Sequence, residues 1–378
     1  MTESPVRILV TGDLCPINRI ETLASEGKFA DIYNDFITIM KGNDLNIADL
    51  ECPLTTSENS RKKIGPHQKA LPGCINILSY GGINLVTLAN NHIMDYGSAG
   101  LTDTLDLCRS ANISTVGVGR SLMEASEPYL TTIKGQRLAI LSCADDEFVT
   151  TSDRSYTCNY IDTVALHTSI SRVRKEVDCL IVLIHAGNEY YSLPSPRTKA
   201  LYRFLVDSGA DAVLANHSHA FSGYEVYKTK PIFYGLGNFI YDWPGKPEAS
   251  WYTGYVVRMQ LAGSISFEII PLKQGGREPG ITNLTDNETK EFFEEIGKLN
   301  TVIEDDTLLD NAFKAYCDSV STMYDAYIEP YFGKYLTALK SRGFFPKLMS
   351  KRKRLLLLNL IRCESHREVL KTLLGRYE

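Results

Sequence analysis

Apolar runs that stop abruptly at polar clusters constrain this chain more than any other feature. Strand-like segments recur at 7–11, 45–50, 84–89, 114–118, 137–142, 179–184 and 212–215. Stretches with helical spacing lie between several of them, at 20–40, 99–111, 161–177 and 195–207. Apolar β-branched runs alternating with amphipathic helices predict an α/β layered domain. Five of the runs end in Thr11-Gly-Asp13, Asp49-Leu-Glu51, Ala89-Asn-Asn-His92, His185 and Asn216-His-Ser-His219. In layered α/β folds the carboxyl ends of the strands open into a common crevice, so these groups are expected to face one another. Carboxylates and imidazoles gathered in that way suit a divalent transition metal.

Histidine usage supports this reading. The chain has seven His, and His92, His185, His217 and His219 all sit at strand ends. The other three, at 67, 167 and 366, lie in polar contexts and read as surface residues. Nine scattered Cys without a CxxC pair fit reduced thiols better than a disulfide framework. No secretory signal is visible, and no stretch reaches the ~20 apolar residues of a membrane span. The expected location is therefore cytoplasmic.

After residue 211 the pattern changes to strands at 224–228, 231–234, 252–261 and 264–272 joined by turns. The Gly- and Pro-containing stretch 275–280 reads as a linker. This divides the chain into a domain of residues 1–275 and a helical region of residues 276–378, with helices at 286–299, 306–327 and 347–374. Charge is divided too. Residues 340–378 hold 11 Lys/Arg against three Glu, a local net of +8 within a chain of net −5. An acidic body of this kind is not built to bind nucleic acid. The run Lys351-Arg-Lys-Arg354 followed by four Leu has two readings. Either the leucines pack on the body while the cations stay solvated, or the segment docks on an anionic membrane surface, polymer or assembly partner. The second would put the protein peripherally at the inner membrane face.

The motifs, taken together, resemble a known family. Gly12-Asp13, Asn46-Ile-Ala-Asp-Leu-Glu51-Cys-Pro53, Asn90-Asn-His92-Ile-Met-Asp95-Tyr-Gly97, His185-Ala-Gly-Asn-Glu189-Tyr190, His217-Ser-His219 and Gly235-Leu-Gly237-Asn238 occur in the order found in the CapA capsule-synthesis family. That family is associated with poly-γ-glutamate capsule biosynthesis and is related to calcineurin-like metallophosphoesterases. The resemblance spans about residues 7–242. It implies a four-layer αββα sandwich, here with a C-terminal helical appendage, and a site for two divalent ions (Mn, Fe or Zn). Glu51 would bridge the ions. Asp13 and His219 would hold one of them, and Asn91, His185 and His217 the other. His92 would be the imidazole beside the scissile group.

Asp95 is placed either to orient His92 or to cap the helix that follows. Glu189, Tyr190 and Asn238 are candidate substrate contacts. The implied activity is hydrolysis of a small-molecule or polymer phosphoester. A non-hydrolytic assembly component and a γ-glutamyl amide hydrolase are the alternatives. Three departures stand out. Cys15 occupies the place of a metallophosphoesterase imidazole, and reads either as a thiolate ligand or as a small buried residue. Ala186 replaces a Trp, removing an aromatic wall. Asn216 replaces a Gly before His217, at a turn where Asn tolerates left-handed backbone.

Overall fold

The computed structural model describes the chain apart from residues 1–3, 64, 148, 150–154, 247–248, 329–333, 345–348 and 363–378. The first half supplies strands β1 (Val6–Cys15), β2 (Leu45–Leu50), β3 (Leu85–Thr87), β4 (Ser114–Val116), β5 (Val118–Gly119), β6 (Tyr129–Ile133), β7 (Gln136–Ala144) and β8 (Thr157–Cys158). The second supplies β9 (Cys179–His185), β10 (Ala212–Asn216), β11 (Tyr224–Tyr227), β12 (Lys230–Phe233), β13 (Asn238–Tyr241), β14 (Thr253–Leu261), β15 (Ile265–Gln274) and β16 (Ile281–Asn283). The helices are α1 (Arg19–Ser25), α2 (Phe29–Tyr33), α3 (Ile37–Met40), α4 (Ile75–Tyr80), α5 (Gly97–Ser110) and α6 (Leu122–Ala125). They continue as α7 (Thr163–Val173), α8 (Pro196–Ser208), α9 (Asp286–Glu304), α10 (Asp306–Ile328), α11 (Lys334–Ser341) and α12 (Lys351–Arg362).

Two sheets form the middle layers. One runs β16-β15-β14-β1-β2-β3-β4, with β13 joined to β1; the other runs β11-β12-β10-β9-β7-β6. Strands β1 to β4 are mutually parallel, as are β7, β9, β10 and β12. Parallel strands covered on both faces need apolar side chains on both. Strands β2 and β9 are accordingly buried at every position. Between the sheets lie Ile8, Val10 and Ile47 from the first and Ile140, Ile181 and Leu214 from the second. The outer faces pack on helices. Leu9, Ala48 and Val86 meet Tyr33, Leu78 and Leu101, while Leu141, Val182 and Val213 meet Leu166, Ile170 and Leu205. These are the four layers of an αββα sandwich.

Helix α8 starts where the sequence predicts, with the Ser195 hydroxyl accepting from Thr198 N–H and Pro196 in the first turn. The expected single helix at 20–40 is instead broken into α1, α2 and α3. Gly27 at φ +72° and Asn34 at φ 44° take left-handed backbone between them, which a continuous helix excludes. The expected break at 275 is also absent. Residues 275–280 form a turn between paired strands β15 and β16, closed by Gly275 N–H donating to Gly280 O (2.9 Å). Helix α9 then begins with a capping box between Thr285 and Glu288. Its buried stripe Phe292, Ile296, Leu299 and Ile303, at helical spacing, closes on the sandwich, with Phe292 packed on Phe221 and Tyr255. The compact first unit therefore runs to Asp310, and residues 311–378 form a second unit. The expected helix at 347–374 lies partly outside the described residues; its described part is α12. Among the described residues no helix is long and apolar enough to cross a membrane.

One close approach fixes the end of β1. A Cβ on Gly12 would lie 1.9 Å from Gly237 O, an acceptor for Asp13 N–H at 3.1 Å. Neither backbone can retreat without moving Asp13. Gly12→Ala is therefore expected to destabilise the sandwich by about 3 kcal/mol, measured by denaturant unfolding. A loss within the scatter of surface substitutions would show that the two backbones are not held so closely.

Candidate metal centre

The parallel strands of both sheets deliver their carboxyl ends to one place. Register pairs Asp13 with Asp49 across β1 and β2, and Asn216 with His185 across β10 and β9. Loops leaving β3 and β10 add Asn91, His92, His217 and His219. Two of these loop residues have strained backbone: His217 at φ 99° and His219 at φ 53°. The left-handed residues of this turn are thus His217 and His219, and Asn216 ends β10 without a positive φ. Asn216 therefore needs no left-handed backbone, and its buried Oδ1 has no hydrogen-bond partner among the described residues.

Ligand-type atoms converge in three overlapping sets: two share Glu51, which joins Asp13 and His219 in one and His185 and His217 in the other, and the third is Asp13 with Asp49 and His185. Every member is buried. His185 Nε2 lies 3.0 Å from Asn91 Oδ1, 3.1 Å from His217 Nδ1 and 3.6 Å from Glu51 Oε1. His219 Nε2 is 3.7 Å from the same Glu51 oxygen, and its Nδ1 is 3.2 Å from Asp13 Oδ2. Glu51 decides what this arrangement is for. Both its carboxylate oxygens are buried without a hydrogen-bond partner among the described residues. Burial, then the charges of Asp13 and Asp49, push its carboxyl well above the usual carboxylate range. A buried carboxylate ringed by like charge and by lone pairs is costly unless a cation joins it. The donor set of carboxylate oxygens, an amide oxygen and imidazole nitrogens fits borderline divalent metals such as Mn, Fe and Zn.

Residues behind the cluster orient it. Asp49 Oδ2 lies 2.7 Å from His185 Nδ1, which fixes the ring with Nε2 toward the cluster. Asp49 is held in turn by Asn90 Nδ2 at 3.1 Å. Burial works against a charge on His185, but Asp49 and Asp13 outweigh it and raise its pKa. His217 has no such carboxylate, and burial beside His185 and His219 drives its pKa well down. Sequence reasoning gives Asp49 no role of its own, although the two-residue pleat puts it on the same face as Glu51. Asn238, read as a substrate contact, is fully buried instead. Its Oδ1 lies 2.9 Å from His219 Nδ1 and its Nδ2 donates to Trp251 O, so it orients the His219 ring. Cys15 stands outside all three sets. Its thiol is buried against Cys52, and burial and that neighbour push its pKa well up, away from a thiolate.

Beside the cluster lies a cleft of about 280 Å³. His92, Glu189 and Tyr190 line it together with Lys63, Lys246 and Trp251. His92 Nδ1 is 2.7 Å from Asp95 Oδ2, which also accepts Gln68 N–H at 2.8 Å. Asp95 is therefore the orienting partner of His92, and helix α5 is capped at Tyr96 without a side-chain bond. Lys63, which sequence reasoning missed, pairs with the other Asp95 oxygen and lies 3.1 Å from His92 Nδ1. Its side chain is only 2% exposed. Burial lowers the pKa of His92 and of Lys63, with Asp95 opposing both shifts.

Ala186 packs into the outer core and does not line the cleft, whose aromatic lining is Tyr190, Tyr241, Trp243 and Trp251. Tyr190, at φ 60°, receives a 2.6 Å bond from Lys246 Nζ. That ammonium sits 4.6 to 5.0 Å from the ring centres of Trp251, Tyr190 and Trp243. Of the three outlying His, His167 is exposed as expected. His67 is half-buried, with Nε2 2.6 Å from Arg61 O. His366 lies outside the described residues.

Fold and cluster together define a four-layer αββα sandwich with buried acidic and histidine groups that could hold a metal ion. The chain belongs to the bacterial capsule synthesis protein PGA_cap family, whose model matches residues 7–243. It is similar to the capsule biosynthesis protein CapA of Bacillus anthracis, 26% identical over 292 residues, covering 73% of this chain and 70% of that one. It is also similar to the PGA biosynthesis protein CapA of Bacillus subtilis (strain 168), 29% identical over 237 residues, 61% of this chain and 62% of that one. A solved hypothetical protein from Thermus thermophilus aligns with a TM-score of 0.41 at 16% identity, over 70% of this chain and 99% of that one.

Proposed function

We propose that this protein is a binuclear metal-dependent hydrolase of a phosphoester, working in capsule or poly-γ-glutamate metabolism. The observation that carries the reading is Glu51, a buried carboxylate without a donor, shared by two ligand sets. Asp13 and His219 would hold one ion and Asn91, His185 and His217 the other, with Glu51 common to both. Bound there, divalent cations supply positive charge to a phosphoryl group and acidify water at neutral pH.

The chain's own residues do the rest. Asp49 and Asn238 keep His185 and His219 in their ligand orientations. Asp95 holds His92 by Nδ1, leaving Nε2 to exchange a proton with, or hydrogen-bond to, an oxygen of a substrate in the cleft. Lys63 holds Asp95 and adds a fixed cation beside the cleft. Lys63→Met is expected to lower kcat about tenfold with metal content unchanged, since only the placing of His92 is loosened. Lys63→Arg should recover most of that loss. Equal kcat in Lys63→Met and the parent would remove Lys63 from the mechanism.

The test is a panel of phosphomonoesters, phosphodiesters and nucleotides offered to Mn-, Fe- and Zn-loaded protein. Turnover of any class that disappears on chelation is the expected result. Two further readings have their own observations. Cys15 in place of an imidazole favours a non-hydrolytic component, which would bind metal and turn over nothing in the panel. The names of the Bacillus relatives, with Lys63 and Lys246 at the cleft, favour γ-linked glutamyl amides. Shortening of added poly-γ-glutamate without phosphoester turnover would select that substrate.

A further inference from the structure

Helices α11 and α12 contain seven Lys/Arg and no Asp or Glu. Among the described residues they also carry seven exposed large apolar side chains. Tyr335, Leu336 and Leu339 are exposed on α11. On α12 Leu355 and Leu356 are 59% and 57% exposed, and Leu358 and Ile361 are exposed with them. Lys351, Arg352, Lys353 and Arg354 immediately precede those leucines and are exposed as well. Two costs are therefore stacked in one short helix. The adjacent cations Lys351, Arg352 and Lys353 repel one another, and the following turns hold large apolar side chains in water. Consecutive residues advance about 100° around a helix, so Leu355, Leu356 and Leu358 point in different directions, and one flat protein face would leave part of them uncovered.

We propose that α11 and α12 form a docking surface for an anionic lipid bilayer. A lipid interface removes both costs at once. Leucines enter the boundary between headgroups and acyl chains, while Lys and Arg reach the phosphates above it. A second copy of the chain would bring seven more cations to the same place. A polyanion such as nucleic acid would neutralise the cations and leave the leucines wet. The neutral face of a partner protein would do the reverse. The proposal is independent of the metal centre, since it rests on no residue of the sandwich.

The test is flotation of the full chain with vesicles of phosphatidylcholine alone, or with about one third phosphatidylglycerol, in roughly 0.1 M salt. Partitioning into the anionic vesicles should be at least about tenfold stronger, and should fall away near 1 M salt, where the screening length is about 3 Å. K351Q/R352Q/K353Q/R354Q and L355S/L356S/L358S should each lose about tenfold or more, with thermal unfolding of the sandwich unchanged. The lipid and salt comparisons use the unaltered chain, so they decide the matter even if a variant misfolds. Equal partitioning into neutral and anionic vesicles would overturn the proposal. So would absence of vesicle binding in a chain that self-associates or binds heparin, or full vesicle binding by both variants.

Discussion

Glu51→Gln is expected to make the metal-free protein more stable and to abolish the stabilisation that divalent ions give the parent. The two effects have one cause. Without metal, the Glu51 side chain is buried beside Asp13 and Asp49 with neither oxygen bonded, and its pKa is held well up by that burial and charge. An unsatisfied buried polar group costs about 1–3 kcal/mol, and Gln supplies an N–H₂ that Asp13 can accept. For a domain of this size that gain corresponds to a rise in Tm of a few degrees. With metal, the order reverses. A site filled at 100 times its Kd stabilises by about 2.7 kcal/mol, and Gln cannot supply the shared anionic oxygen on which both Glu51 sets depend. Thermal unfolding with chelator and with saturating Mn reads both halves. A variant less stable than the parent in chelator, with its metal-induced rise intact, would show that Glu51 is an ordinary buried acid.

His92→Ala should lower kcat by about 10²- to 10⁴-fold while metal content stays at the parent level. His92 lines the cleft, yet it belongs to none of the converging sets. It is held by Asp95, whose carboxylate is fixed in turn by Gln68 N–H and Lys63. Loss of the ring therefore removes a group that handles a substrate oxygen and leaves the ligands in place. His217→Ala behaves differently, because that ring stands 3.1 Å from His185 Nε2 and shares its set with Glu51. It should lose metal and turnover together. The contrast between the two variants, read by elemental analysis beside the hydrolytic assay, separates a residue of the cleft from a residue of the cluster. Metal lost from His92→Ala, or kept in full by His217→Ala, would reverse those assignments.

The strand ends are legible in the sequence because parallel strands buried on both faces read as apolar runs, and polar residues interrupt them only where the strands stop. Asp13, Glu51, Asn91, His185, His217 and His219 stand at those stops, and the structure brings them together. What is not legible depends on contacts between segments distant in sequence. Lys63 lies in an irregular loop, well before Asp95 in the chain, and no periodicity marks it. Asp49 is within reach of sequence reasoning, since it shares the face of Glu51. Asn238 looks like a substrate contact because a Gly-rich turn precedes it. Gly12 in fact permits the close approach of β1 to Gly237 O, where β13 pairs with β1, and the amide of Asn238 is buried there against His219. The boundary at 275 fails for a related reason. Gly and Pro mark a tight turn as readily as a linker, and only the packing of Phe292 and Ile296 between the sheets shows which one this is.

The proposed function rests on a buried acidic and histidine cluster that could hold cations, and elemental analysis tests it most directly. Full-length protein, stripped with chelator and reloaded with Mn, Fe or Zn, should retain about two ions per chain after gel filtration, and Glu51→Gln should retain one or none. A folded parent chain that retains no ion under any of these loadings would contradict it.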